Sequence, residues 1–315
     1  MNWKKCANAV HSRPRSDPLF MSLRLEMLQV ARLAPKVLED ASELVQNFLT
    51  NQQNDDGGFK DREGKSDLYY TVFGLDALAA FQAKPDLDAV DKFLRTFGEG
   101  EELDLVHLSC LTRCWGSLGV ERMPKGLRKA LLIRLERFRK PCGGWDNNQQ
   151  REHGTAYGSF LALGAYQDMG KLPPKPLRIL QSLKKLETPD HAWNNHPNLP
   201  VGSTNPTAGA VVLLNNLHLP INAEVGQWLR ARVHAQGGFV AVPAAPIPDL
   251  LSTATALHAL AALEVRLTEE ETDRCLDFVD SLWDATGGFH GHWSDDYLDC
   301  EYTYYGLLAL GHLSL

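Results

Sequence analysis

Four times along the chain a pair of glycines is followed by a large aromatic residue, and this recurrence constrains the fold more than any other feature of the sequence. The copies are Gly57-Gly58-Phe59, Gly143-Gly144-Trp145, Gly237-Gly238-Phe239 and Gly287-Gly288-Phe289. Each follows an apolar helical pattern and precedes a polar loop and a helix rich in small residues. Gly58 and Gly144 stand 86 positions apart, and Gly144 and Gly238 stand 94 apart. Both gaps are about twice a period of roughly 43–47 residues, within the range of helical-hairpin repeats. Each gap therefore holds a degenerate copy: Ala89 to Phe97 followed by Asp104 to Gly119, and Leu177 to Leu186 followed by Asn205 to Leu217. Six helical hairpins result.

The second helix of each hairpin opens at a short polar residue: Asp67, Asp104, Glu152, Asn205, Asp249 and Asp299. Such side chains accept hydrogen bonds from the first free backbone N–H groups and complement the helix dipole, so all six are expected as N-caps at one mouth. Small and aromatic residues follow, as in Tyr69-Tyr70-Thr71-Val72-Phe73-Gly74. Helices apolar around most of their circumference belong inside, whereas amphipathic first helices such as 126–140 belong outside. The expected class is all-α, in two layers.

Composition narrows the function classes. The 315 residues are 44% hydrophobic and 23% charged, ordinary for a globular chain. A net charge of -7 without a run of basic residues argues against nucleic acid as a partner. No apolar stretch reaches the roughly 18 residues of a membrane span, and residues 1–17 lack an apolar signal core, so a cytoplasmic protein without a transmembrane segment is expected. Six cysteines without a C-x-x-C pair indicate neither a disulfide framework nor a zinc ribbon.

The six hairpins, their Gly-Gly-aromatic turns and the helix running from Asp67 to Leu78 resemble the prenyltransferase/squalene-cyclase repeat superfamily from about Leu44 to the end of the chain. Its single-toroid members, the β subunits of protein prenyltransferases, are the nearest in length. The resemblance implies an (α/α)6 toroid over residues 41–315, preceded by an extension and leading helix in residues 1–40. It also implies a central apolar funnel at the N-terminal mouth of the inner helices, a prenyl diphosphate or comparable amphiphile as ligand, and room for an α-type partner subunit.

Protein prenyltransferases bind zinc through Asp-x-Cys and a His, and the metal makes a thiolate nucleophile. In the segment of this chain that resembles that motif, Asp299 and Tyr302 match but Glu301 stands at the cysteine position, with Cys300 one place out of register. The preceding repeat has Leu251 at the corresponding place. The first repeat keeps Arg62, Lys65, Asp67 and Tyr70 in the family pattern, with Tyr69 at the cysteine position, and Asp104-Leu105-Val106-His107 resembles the Asp-x-x-His ligand segment. The usual triad is thus not intact; no metal set and no cofactor is expected, zinc being conceivable only with other ligands. His107, Cys110 and Cys114 share a helix face, which reads as packing rather than as a metal site.

The remaining expectations concern the ligand. His153-Gly154-Thr155-Ala156-Tyr157-Gly158 resembles a diphosphate-contacting segment, so Arg62, Lys65 and His153 are expected at the charged head, and Tyr70, Phe73 and Tyr157 along the apolar tail, with His107 and Tyr302 nearby. Asp299-Cys300 also resembles the Asp-Cys pair with which oxidosqualene cyclases start a cation cascade. Asp299 and Asp67 are the expected catalytic acids. Three readings follow: an isoprenoid-handling enzyme, a non-catalytic toroid that binds an apolar ligand or a protein, and a cyclase using Asp299 as general acid.

Overall fold

The first glycine of each pair occupies a backbone position that side chains exclude twice over. In the computed structural model, which describes residues 21–315, Gly57, Gly143, Gly237 and Gly287 have φ of 95°, 100°, 86° and 103°, which L-residues rarely adopt. A Cβ would also lie 2.1 Å from the backbone of Ala89, 1.8 Å from that of Arg274 and 2.2 Å from that of Leu44, at Gly57, Gly237 and Gly287 respectively. Each turn is therefore pressed onto the outer helix of another hairpin.

The helices are α1 (Leu23–Ala31), α2 (Ala34–Leu38), α3 (Ala41–Asn51), α4 (Leu68–Ala80), α5 (Leu87–Arg95), α6 (Leu105–Leu118), α7 (Leu127–Leu135), α8 (Ala156–Asp168), α9 (Ile179–Leu186), α10 (Thr204–Asn216), α11 (Glu224–Arg230), α12 (Leu250–Ala262), α13 (Glu269–Asp280) and α14 (Cys300–Leu313). Between α3 and α4, β1 (Phe59–Lys60) and β2 (Ser66–Asp67) form a two-stranded antiparallel ribbon with Phe59 opposite Asp67. The even-numbered helices from α4 to α14 form the inner layer and the odd-numbered ones from α3 to α13 the outer. Gly287, before the last inner helix, packs on Leu44 of the first outer one, which closes the outer layer. The inner layer closes because α14 packs on α4 as well as on α12. The protein is an all-α (α/α)6 toroid.

The aromatic residue after each glycine pair fills the space between layers. Phe59, Trp145, Phe239 and Phe289 are fully buried, and their backbone N–H groups donate to the hydroxyls of Thr71, Ser159, Thr253 and Thr303. The degenerate fourth copy does the same through Trp193 and Thr207, with His191 at φ 65° in the left-handed place. A hydroxyl four residues after the N-cap is thus part of the repeat.

All six inner N-termini meet at one mouth. Around the ring, His107 reaches Asp67, Asn147 accepts from Leu105 N, and Asn195 accepts from Tyr157 N. Thr204 N donates to Ala241 O, Leu250 N to Gly291 O, and Arg62 joins Asp299 across the closing seam. Asp67, Asp104, Asp249 and Asp299 are N-caps. Glu152 and Asn205 are not, which corrects the expectation. Thr155 caps α8, its hydroxyl accepting from Gly158 N, because the helix starts only at Ala156 and leaves Glu152 in the loop before it. Ser203 precedes α10 without a side-chain cap, because the first-turn N–H of Thr204 is satisfied by the neighbouring repeat.

At the opposite end α1 closes the ring against α4, α8 and α14. Arg24 of α1 and Arg113 of α6 lie between Asp76 of α4 and Asp168 of α8, at 3.1–3.8 Å. Both aspartate side chains are 1% exposed, so this floor is a buried, charge-balanced cluster. Residues 1–20, and with them Cys6 and half of the expected extension and leading helix, lie outside the described residues.

Candidate functional site

Counting from the N-caps identifies which side chains face the centre. The second residue after each cap is Tyr69, Val106, Tyr157, Asn205, Leu251 and Glu301 in turn around the ring. Four of these, Tyr69, Tyr157, Asn205 and Leu251, line a central cavity of about 200 Å³. Deeper turns add Phe160, Gly209, Thr255 and Tyr305, then Val212 and His258, with Met27 of α1 rising from the floor. The lining is mainly apolar, with a few polar groups of the kind that orient a ligand.

Glu301 stands where α14 meets α4. The Tyr69 hydroxyl donates to its Oε1 at 2.5 Å, and no lysine or arginine pairs with it among the described residues. Burial pushes the Glu301 carboxyl up to about 7, with the charge of Asp299 adding and the Tyr69 bond opposing. The Tyr69 hydroxyl is pushed far up, first by burial, so it is a lasting donor. Its ring packs edge-on to Phe73 at 5.0 Å, and Phe73 in turn meets Tyr305 at 5.4 Å.

Asp299, two residues earlier, is differently engaged. One carboxylate oxygen accepts from Tyr302 N at 2.9 Å, and the other from Arg62 Nε at 3.1 Å. Burial raises its pKa while these two contacts oppose. Arg62 also reaches Asp295 at 3.2 Å and lies over the rings of Tyr297 and Tyr302. Tyr70 stands beside it, its hydroxyl raised to about 12, mostly by burial. On the other side of α4, His107 is bonded to Asp104 at 2.8 Å and lies 3.5 Å from Asp67. The Asp67 hydrogen bond leads in raising the imidazole to about 9, against the opposing effect of burial. His107 is therefore a cation at neutral pH. Asp67 and Asp104 are held below their ordinary values by His107 and by backbone N–H groups, although burial works the other way.

The model of the prenyltransferase alpha-alpha toroid domain matches residues 21–107 and 206–314. The chain belongs to that family. No curated protein matches it by sequence. Among solved structures, the toroid is similar to the type II terpene cyclase MstE from Scytonema, at 13% identity and a TM-score of 0.60 over 88% of this chain and 97% of that one. It is also similar to a glycosidase in complex with glucose, at 13% identity and a TM-score of 0.54 over 92% of this chain and 96% of that one. A protein geranylgeranyltransferase-I from Candida albicans in complex with GGPP gives 16% identity and a TM-score of 0.48 over 99% of this chain and 89% of that one. Likeness at this distance shows the fold, and one fold carries different chemistries, so function rests on the side chains.

For a prenyltransferase toroid the first such question is the zinc. The two residues at the family's cysteine position, Tyr69 and Glu301, are bonded to each other across the seam. Cys300 is buried beside them with its thiol raised well above the ordinary range by desolvation, and Cys110 is raised to about 12 for the same reason. Among the described residues no three His, Cys, Asp or Glu side chains are grouped to hold a metal ion. This donor set does not fit a thiolate-zinc centre.

The expected head group is also dispersed. Arg62 is committed to two carboxylates, and Lys65 is an exposed partner of Glu63. His153 opens onto a separate surface groove with Glu152, Lys184 and Lys185. Of the expected tail residues, Tyr157 lines the cavity, Phe73 packs behind Tyr69, and Tyr70 turns toward Arg62. Tyr302 packs on Gly291 beneath Arg62. The sequence reading did not select Glu301 or His258. The signal for Glu301 was its offset, since it stands two residues after an N-cap aspartate just as Tyr69 does.

Proposed function

We propose that this toroid is an isoprenoid-handling enzyme that takes a short apolar chain into its central cavity and acts on a functional group of that chain by general acid–base catalysis through Glu301. The observation that carries this reading is the uncompensated carboxyl of Glu301, at about 7 and oriented by the Tyr69 hydroxyl beside a cavity walled by Tyr157, Phe160 and Tyr305. A carboxyl at this value is populated in both protonation states near neutrality, which suits proton transfer to or from an oxygen function. It is far too weak an acid to protonate an unactivated alkene. Asp299 is the poorer candidate, because both its oxygens already accept hydrogen bonds. The pairing of Arg62 and Lys65 with carboxylates favours an uncharged oxygen function over a diphosphate. At a water-sized share of ~30 Å³ per heavy atom, the cavity of about 200 Å³ accepts one end of a prenyl chain rather than a whole triterpene.

The test is turnover of a panel of short isoprenoid alcohols, epoxides and diphosphates, followed by mass spectrometry from about pH 5 to 9. We expect an ionisation near 7 in kcat, and in Glu301→Gln a loss on the order of 10²–10⁴-fold in turnover with binding retained. Unchanged turnover in that variant overturns the role of Glu301. Absence of binding to any member by the wild type overturns the isoprenoid reading.

A further inference from the structure

The cavity has a second polar pole, remote from Glu301. Leu251, Thr255 and His258 fall at i, i+4 and i+7 on α12 and all line the cavity, so His258 lies about 10 Å deeper than Leu251 along the helix axis. Its Nδ1 is 3.0 Å from Nε2 of His312 on α14. Its own Nε2 has no hydrogen-bond partner among the described residues. His258 faces the cavity, and a ligand that fills the cavity without bonding this nitrogen leaves a polar atom covered and unpaired, which is costly. Burial holds both imidazoles below their ordinary value, His258 at about 4 and His312 at about 3, so the pair is neutral and shares one proton. If His258 donates to His312, its Nε2 is an acceptor; in the reverse arrangement Nε2 carries a proton and donates. A hydroxyl can satisfy either state, whereas a methyl group satisfies neither.

We infer that the deep end of the cavity is a recognition site for a hydroxyl, with His258 as the specificity-determining residue and His312 as the group that positions it. The ligand class is then an apolar chain oxygenated at the end that enters first, as well as at the end left beside Glu301. This rests on the isoprenoid reading above and narrows it. Asn205 and Thr255, hydrogen-bonded to each other at 2.8 Å, line the same wall above His258 and give such a ligand a polar track on one side. The opposite wall of Tyr69, Tyr157 and Tyr305 accommodates its hydrocarbon face.

Three probes test this by calorimetry: geraniol, the diol that carries a second hydroxyl at its far end, and the parent hydrocarbon lacking both. One neutral buried hydrogen bond predicts that the wild type binds the diol about three- to tenfold more tightly than geraniol. That margin should vanish in His258→Phe and persist in His258→Gln, whose amide reaches the Nε2 position. In the wild type the imidazole nitrogen resonances of His258 should shift on adding the diol and stay in place with the hydrocarbon. Equal affinity for diol and geraniol, a margin that survives His258→Phe, or unmoved His258 resonances each overturn the proposal while leaving the isoprenoid reading intact. If none of the three probes binds, the isoprenoid reading itself falls, and this proposal with it.

Discussion

Both ends of the ring hold arginines among aspartates, yet the two clusters behave differently. At the floor, two arginines face two aspartates whose side chains are 1% exposed, and the balance is complete. At the mouth, Arg62 is about one-third exposed and serves Asp295 and Asp299, while Glu301 two residues further on receives only a phenol. Buried charges are tolerated when paired, and a carboxyl left without a cation takes up a proton instead. On the proposed reading the difference separates a structural use of charge from a chemical one: the floor locks α1 into the ring, and the mouth keeps a titrating carboxyl bonded to the cavity-lining Tyr69.

The strongest way to break the comparison is to unbalance the floor. Arg113→Leu leaves Asp76 and Asp168 sharing one cation, Arg24, in a buried site. We expect a loss of about 3–5 kcal/mol in chemical denaturation, accompanied by release of α1 detectable as faster amide exchange over residues 23–31. A loss below about 1 kcal/mol would mean that the cluster is hydrated and the contrast with the mouth is false.

A smaller effect of opposite sign is expected from Glu301→Gln. The folded-state pKa of about 7 lies above the ordinary glutamate value of 4.5, so the folded protein binds the extra proton between these values. Wild-type stability therefore contains a contribution that falls as pH rises from about 4.5 to 7 and stays lost above. The glutamine variant should lack that slope and exceed the wild type by about 1–3 kcal/mol at pH 8. Parallel pH profiles of thermal unfolding would contradict it. His107 adds a second decline in the wild type at higher pH, between the ordinary histidine value of 6.5 and about 9, which Glu301→Gln should leave in place.

The smallest expected effect belongs to Lys65→Ala. Lys65 and Glu63 are about three-quarters exposed, and exposed pairs contribute little. Stability and ligand affinity should both stay within about 0.5 kcal/mol of the wild type. A larger drop in affinity for geranyl diphosphate would restore Lys65 to the ligand head and weaken the account of the mouth.

Much of the architecture was legible because it rests on local rules. A glycine forced to positive φ, an aspartate at an N-cap and a helix without a polar face each announce themselves within a few residues, and they recur at a regular spacing. The misplaced caps show the limit: the cap of α8 falls at Thr155, beyond Glu152 in the loop, and the first turn of α10 borrows an acceptor from the next repeat. The site was less legible. Arg62, Lys65 and His153 follow family motifs but separate in space, because motif spacing within a hairpin does not say which loop faces which. Tyr69 and Glu301, 232 residues apart, meet because the ring closes.

By itself, then, the sequence determined six hairpins, their inner and outer layers and the end at which the inner helices begin, since backbone sterics, capping and hydrophobic periodicity act over one or two turns. Only the tertiary structure decided that Glu301 is left without a cation, that α1 seals the floor, and that His258 meets His312 in the cavity wall. Desolvation and charge pairing depend on everything within a few ångströms, and in a closed ring most of those neighbours come from distant parts of the chain.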